Sequence, residues 1–198
     1  MYPDILIKTI ESFKKFSGIG EKTAERLSMS ILDMSEDDVS NFSLCINNLK
    51  KGIHRCSNCG HITDKKVCDI CSNNFRKDNL ICVVEDFKSV FMFEKTGNFD
   101  GKYHVLNGLI SPIDGITPDE LNIDSLIKRI SNIEGDIEII IALKPSIEGE
   151  ATTLYLKKIL EKYNIKTTRL SYGIPMGVEI DYLDSITLDR ALQDRKDI

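Results

Sequence analysis

The chain has 198 residues, of which 41% are apolar and 29% charged, and a formal net charge of −5. That is the profile of a soluble globular protein with one main core, and it excludes a disordered or collagen-like chain. The longest apolar run, Ile139 to Leu143, is far too short for a membrane span, and the acidic Met1-Tyr-Pro-Asp start has neither the basic nor the apolar region of a secretory leader, so a cytoplasmic, nucleoid-associated protein without membrane contact is expected.

Two helices are predicted first. Ile5, Leu6, Ile10 and Phe13 recur at helical spacing, and Ala24, Leu27, Ile31 and Leu32 repeat the pattern. Between them stands Ser17-Gly18-Ile19-Gly20, a turn whose glycines tolerate positive φ and let another chain come close to the backbone. The second helix presents its free N–H groups beside that turn, and Lys22 and Arg26, four residues apart, share one of its faces. A lone G-x-G is ordinarily just a tight helical corner; the two cations turn the reading toward a nucleic-acid phosphate.

Next come four of the six cysteines, as Cys56-x2-Cys59 and Cys68-x2-Cys71. Two such knuckles point four thiolates at one ion and leave no open coordination position, which predicts one structural zinc per chain. A disulfide pair or four buried thiols is the alternative, disfavoured in a reducing compartment. His54 and His61 flank the first knuckle and are read as bystanders. Cys45 and Cys82 lie in apolar stretches and are expected, with Phe42, Phe91 and Phe93, to be core residues.

Beyond the cysteines the pattern alternates. Leu80–Val84 reads as a buried strand ending in Glu85-Asp86, followed by an amphipathic helix from Phe87 to Lys95. A strand near Tyr103–Leu106, a helix Ser125–Ile133, a strand Ile137–Leu143, a helix from about Glu150 to Tyr163 and a strand near Thr167–Ser171 follow. This predicts a mostly parallel sheet flanked by helices. In such sheets function gathers at the carboxyl ends of the strands, where Glu85, Glu148 and Glu150 should converge.

Charge is unevenly distributed. Residues 1–77 hold 12 basic and 10 acidic side chains, and residues 78–198 hold 14 and 21. The front of the chain is therefore the electropositive part, as a phosphate-binding module requires.

A strand ending in Glu85, followed by one ending in A-L-K-P-S-I-E-G-E-A-T from Ala142, resembles a Toprim domain, the fold shared by topoisomerases, bacterial primases and some nucleases. The order of Phe16-Ser-Gly-Ile-Gly-Glu-Lys, the four cysteines, the Toprim pattern, Tyr172-Gly-Ile-Pro-Met-Gly-Val-Glu and Leu188-Asp-Arg-Ala-Leu is similar throughout to the RecR family. The resemblance implies an α/β chain of four parts. They are a helix-hairpin-helix DNA-binding domain over 1–53, a four-cysteine zinc-finger module over 54–76, a Toprim domain over 77–173 and a C-terminal oligomerisation segment over 174–198.

It further implies a non-catalytic recombination mediator that forms a dimer or tetrameric ring, binds DNA largely without regard to sequence, and acts with RecO and RecF to load RecA in recombinational repair. Lys22, Arg26, Gly18 and Gly20 would contact DNA. Partner binding would fall to the acidic edge of Glu85, Glu148 and Glu150. Catalytic Toprim enzymes carry an Asp-x-Asp pair after the third strand, where this chain has Lys144 and Ser146. An ammonium there repels a divalent cation and a hydroxyl cannot replace a carboxylate, so no catalytic residue is expected. The alternatives are a small Toprim nuclease or topoisomerase-like enzyme, recognisable by magnesium-dependent nicking of plasmid, and a scaffold that never touches nucleic acid.

Overall fold

The computed structural model describes residues 2–171, 173, 174 and 176–195. Tyr172 and Pro175 of the Tyr172–Glu179 motif, with Met1 and residues 196–198, lie outside the described residues. Backbone contacts divide the chain into two units, Met1–Ile53 and His54–Ile198.

The first unit holds three helices, α1 (Asp4–Lys14), α2 (Glu21–Leu32) and α3 (Glu36–Gly52). Asp4 and Lys14 sit at the ends of α1 that suit their charges. Helices α1 and α2 pack together, burying Ile10 and Ala24, and Lys14 bridges Glu11 at 2.8 Å and Glu21 at 2.6 Å across their junction.

The sequence reading places no element over α3, none of whose residues is buried among the described residues. The helix is held by local terms instead. Ser35 caps it by accepting from Asp38 N at 3.1 Å, three acids occupy its first turn, and Lys50 and Lys51 its last. The expectation that Phe42 and Cys45 belong to a core is therefore corrected: both lie exposed on α3.

The second unit begins with a short antiparallel pair, β1 (His54–Arg55) and β2 (Ile62–Thr63), and the one-turn helix α4 (Asp69–Ser72). Strands β3 (Lys77–Val84), β4 (Gly101–Val105), β5 (Glu138–Ala142) and β6 (Lys166–Arg169) form one parallel sheet in the order β4-β3-β5-β6. The helices between them are α5 (Phe87–Thr96), α6 (Ile123–Ile130) and α7 (Ile147–Leu160), and α8 (Ser185–Gln193) follows the sheet.

The period-two alternation of the strands sorts their apolar residues onto two faces. Ile81, Val83, Ile139 and Ile141 pack with Leu126 and Ile130 of α6 and Leu156 and Leu160 of α7. Cys82, Val84, Tyr103 and Val105 pack with Val90 of α5. Cys82 is a core residue, as expected, and Phe93 packs against this second cluster, whereas Phe91 is half exposed on the rim. Helix α7 starts at Ile147, three residues before the predicted start, because the Ser146 hydroxyl accepts from Gly149 N at 3.2 Å and caps it.

Candidate zinc centre, hairpin and acidic edge

The cysteine module is a pair of turns joined by β1 and β2. Cys56 N donates to His61 O at 2.7 Å and Gly60 N to Cys56 O at 3.0 Å, closing the first knuckle; Ser72 N donates to Cys68 O at 3.0 Å, closing the second. Gly60 has φ of 75°, and a Cβ there would stand 3.0 Å from Val105 O, so glycine serves both the turn and the approach to β4. All four sulfurs are buried and lie within 4.8 Å of one another, with Cys59 Sγ 3.6 Å from Cys68 Sγ. That spacing approaches the sulfur separation of about 3.8 Å that a tetrahedral zinc–thiolate site demands.

Asn58 N, His61 N and Cys68 N donate to Cys56 or Cys59 sulfur at 3.3–3.5 Å, the hydrogen bonds that thiolates need. The hydrogen bond with Cys59 holds the Cys68 thiol far below its ordinary pKa, and the same bond holds Cys59 above its own. Four sulfurs this close cannot all ionise unless a cation joins them, and a divalent ion does so. His54 Nε2 donates to Lys65 O at 3.0 Å, and buried His61 packs edge-on against Phe91 at 5.0 Å. Neither belongs to the four-residue group.

In the hairpin, α1 gives way to a turn in which Ile19 N donates to Phe16 O at 3.1 Å. Gly18 has φ of 81°, the left-handed value the motif anticipates; Gly20 is extended at φ −86° and is the residue before the first turn of α2. Among the described residues beyond its chain neighbours, nothing lies within 4 Å of where a Cβ of either would stand, so the backbone face is open. Lys22 and Arg26 are exposed on α2, and neither makes an ion pair among the described residues.

The acidic edge lies where β3 and β5 end. Lys144 Nζ stands 3.5 Å from Glu85 Oε1. Ser146 Oγ donates to Glu148 Oε2 at 2.7 Å, which holds that carboxyl below its usual range. Glu150 pairs with Arg169 of β6 at 3.4 Å. Helix α7 approaches so closely that a Cβ on Gly149 would collide with the Lys144 carbonyl oxygen. The three carboxylates occupy one end of the sheet but do not converge on a common point. Among the described residues, the cysteines form the only group of three or more potential ligands within 4.8 Å.

Reading by residue type alone missed the cations around the zinc module. Arg55 lies 5.2 Å above the Phe87 ring and donates to Gly60 O at 3.2 Å, Lys102 donates to Cys71 O at 2.9 Å, and Arg129 donates to Tyr103 O at 2.7 Å. Lys102 stands in the strand sequence Gly101-Lys-Tyr-His-Val, and a lysine inside an otherwise buried strand was the available signal.

Three family models match this chain. A Toprim domain covers residues 79–171, the four-cysteine zinc finger domain of RecR covers 53–73, and the RecR C-terminal model covers 173–196. The chain belongs to the RecR family. RecR proteins are recombination mediators of DNA repair, and in this member Cys56, Cys59, Cys68 and Cys71 hold a structural zinc ion. The parallel sheet with its flanking helices is the RecR Toprim domain. No helix among the described residues is long and apolar enough to cross a membrane.

Proposed function

We propose that this RecR chain is a non-catalytic DNA clamp that acts with RecO and RecF to load RecA in recombinational repair. The reading is carried by one observation, the pair of exposed cations Lys22 and Arg26, without an ion pair among the described residues, on one face of α2 beside the open backbone of Gly18 and Gly20. Helix N-terminal amides, an approachable turn and two cations together suit a sugar-phosphate chain of any sequence.

The apolar residues left exposed on α3 and in the C-terminal segment, among them Ile46, Leu49, Tyr182 and Ile186, supply surface for assembly into a dimer or a tetrameric ring. Glu85, Glu148 and Glu150 form the partner-binding edge in this reading. Lys144 beside Glu85 supports docking over phosphoryl chemistry, because the ammonium stands where a divalent cation would need a free carboxylate.

Lys22→Ala with Arg26→Ala should weaken binding to duplex and single strand alike, and should flatten the slope of log affinity against log salt by about one unit per lost phosphate contact. Fluorescence anisotropy across a salt series measures both. An unchanged slope refutes the hairpin's role, and magnesium-dependent nicking of plasmid by the pure protein, abolished in Glu85→Gln, refutes the non-catalytic reading.

A further inference from the structure

Four thiolates around one divalent zinc carry a net double negative charge, and a buried charge of that size is tolerated only where donors and cations surround it. The N–H groups of Asn58, His61 and Cys68 meet part of the need. A cation comes from the Toprim sheet. Lys102, on β4, is 4% exposed; its ammonium donates to Cys71 O at 2.9 Å and pairs with the Asp78 carboxylate. Asp78 is itself 70% exposed, so its charge is screened by water and balances the buried ammonium only in part. Arg129, on α6, is a second cation. Its Nη1 donates to Tyr103 O at 2.7 Å, on the same strand that the first knuckle meets through Cys59 O.

The same side chains close an open strand. Helix-covered on its faces, β4 is nonetheless an edge of the sheet, where unpaired backbone groups invite another strand. Three of its outward groups are taken: Val105 N donates to Cys59 O at 2.8 Å, Val105 O accepts from Asn122 Nδ2 at 3.0 Å, and Tyr103 O accepts from Arg129 Nη1 at 2.7 Å. Each knuckle thus contributes one carbonyl, Cys59 O and Cys71 O, to a donor on β4.

We propose that Lys102 is the counter-charge of the zinc tetrathiolate and joins it to β4, whose edge Arg129 helps to close, so that metal occupancy and closure of the sheet edge are one cooperative event. Withdrawing the metal frees the knuckles whose carbonyls hold β4, and exposes the Val105 amide. Lys102 is a positioning residue that acts through the cysteine module.

The test uses the full chain loaded with zinc. Lys102→Met keeps the aliphatic stem and removes the charge; Lys102→Arg keeps the charge; Lys77→Met removes an exposed cation elsewhere and serves as control. Metal transfer to a colorimetric chelator should run roughly tenfold faster in Lys102→Met, the usual effect of losing a partner just outside the ligands. Hydrogen exchange at the Val105 amide should rise by a similar factor while that of Ile140, in the middle of β5, stays unchanged. Lys102→Arg and Lys77→Met should match the wild type in both measurements. Wild-type zinc release from Lys102→Met overturns the proposal, as does faster release without faster exchange at Val105. Where Lys102→Met fails to fold, exchange in the wild type before and after chelation decides: loss of protection at Val105 with Ile140 retained supports the coupling, and Val105 protection surviving metal removal, or both strands opening together, overturns it.

Discussion

His104 and Cys56 are single residues whose chemistry reaches the stability of the whole chain. His104 is fully buried on β4, with Nε2 donating to Asn122 O at 2.6 Å, and burial pushes its imidazole down to about 4. An unfolded histidine titrates near 6.5. As pH falls below that value the unfolded chain takes up a proton that the folded chain refuses, so stability is lost between about 6.5 and about 4 and the loss levels off beneath, reaching at most about 3 kcal/mol. Urea midpoints across that window should fall more steeply in the wild type than in His104→Gln. Both share the acid sensitivity of the zinc thiolates, so parallel slopes would exclude His104 as the source. Cys56 accepts two N–H bonds at its sulfur as well as binding metal. Cys56→Ser should therefore lower bound zinc below one ion per chain by elemental analysis and weaken zinc retention on the order of a hundredfold, with a lower melting temperature. The four ligands could be read from spacing alone because a zinc site is a local chemical pattern. The buried ammonium proposed to answer its charge could not, since Lys102 lies 31 residues beyond Cys71.

Among the elements, the strands were the most legible and α3 the least. A strand buried on both faces appears as an unbroken apolar run, and Leu80–Val84 and Ile137–Leu143 fall on β3 and β5 with only their ends displaced. Ends shift because caps, not core residues, define them, as Ser146 shows at α7. Helix α3 carries Phe42, Ile46 and Leu49 at helical spacing, yet all three are exposed, at 47%, 49% and 67%. Its stripe has no partner within the described residues of its own unit, so periodicity there marks no core of that unit, and the proposed function makes it an association surface. Ile46→Lys with Leu49→Lys should leave the helical signal of circular dichroism intact and shift the molar mass measured by light scattering to a smaller species. An unchanged mass would assign assembly to the C-terminal segment alone.

For the whole molecule, the order of parts was readable because each carries a short chemical signature, while the arrangement of charge within the Toprim domain emerged only in three dimensions. The sequence places Glu85, Glu148 and Glu150 at one sheet end but is silent on their separate partners, Lys144, Ser146 and Arg169. This division of partners gives Glu85 and Glu150 a cation each and Glu148 a hydroxyl, which disfavours joint capture of a bare divalent cation and accords with the docking role proposed for the edge. The corner at Gly149 bears on how such an edge can change over time. The closest approach there is to the Lys144 main chain, so the bend does not depend on the side chain at 144, and at 146 any N-capping residue, aspartate as well as serine, can take the role of Ser146. Descendants of one ancestral scaffold could exchange ammonium for carboxylate at that bend by point substitution, without rebuilding it, and hydrolytic and purely architectural cousins could diverge on a shared backbone.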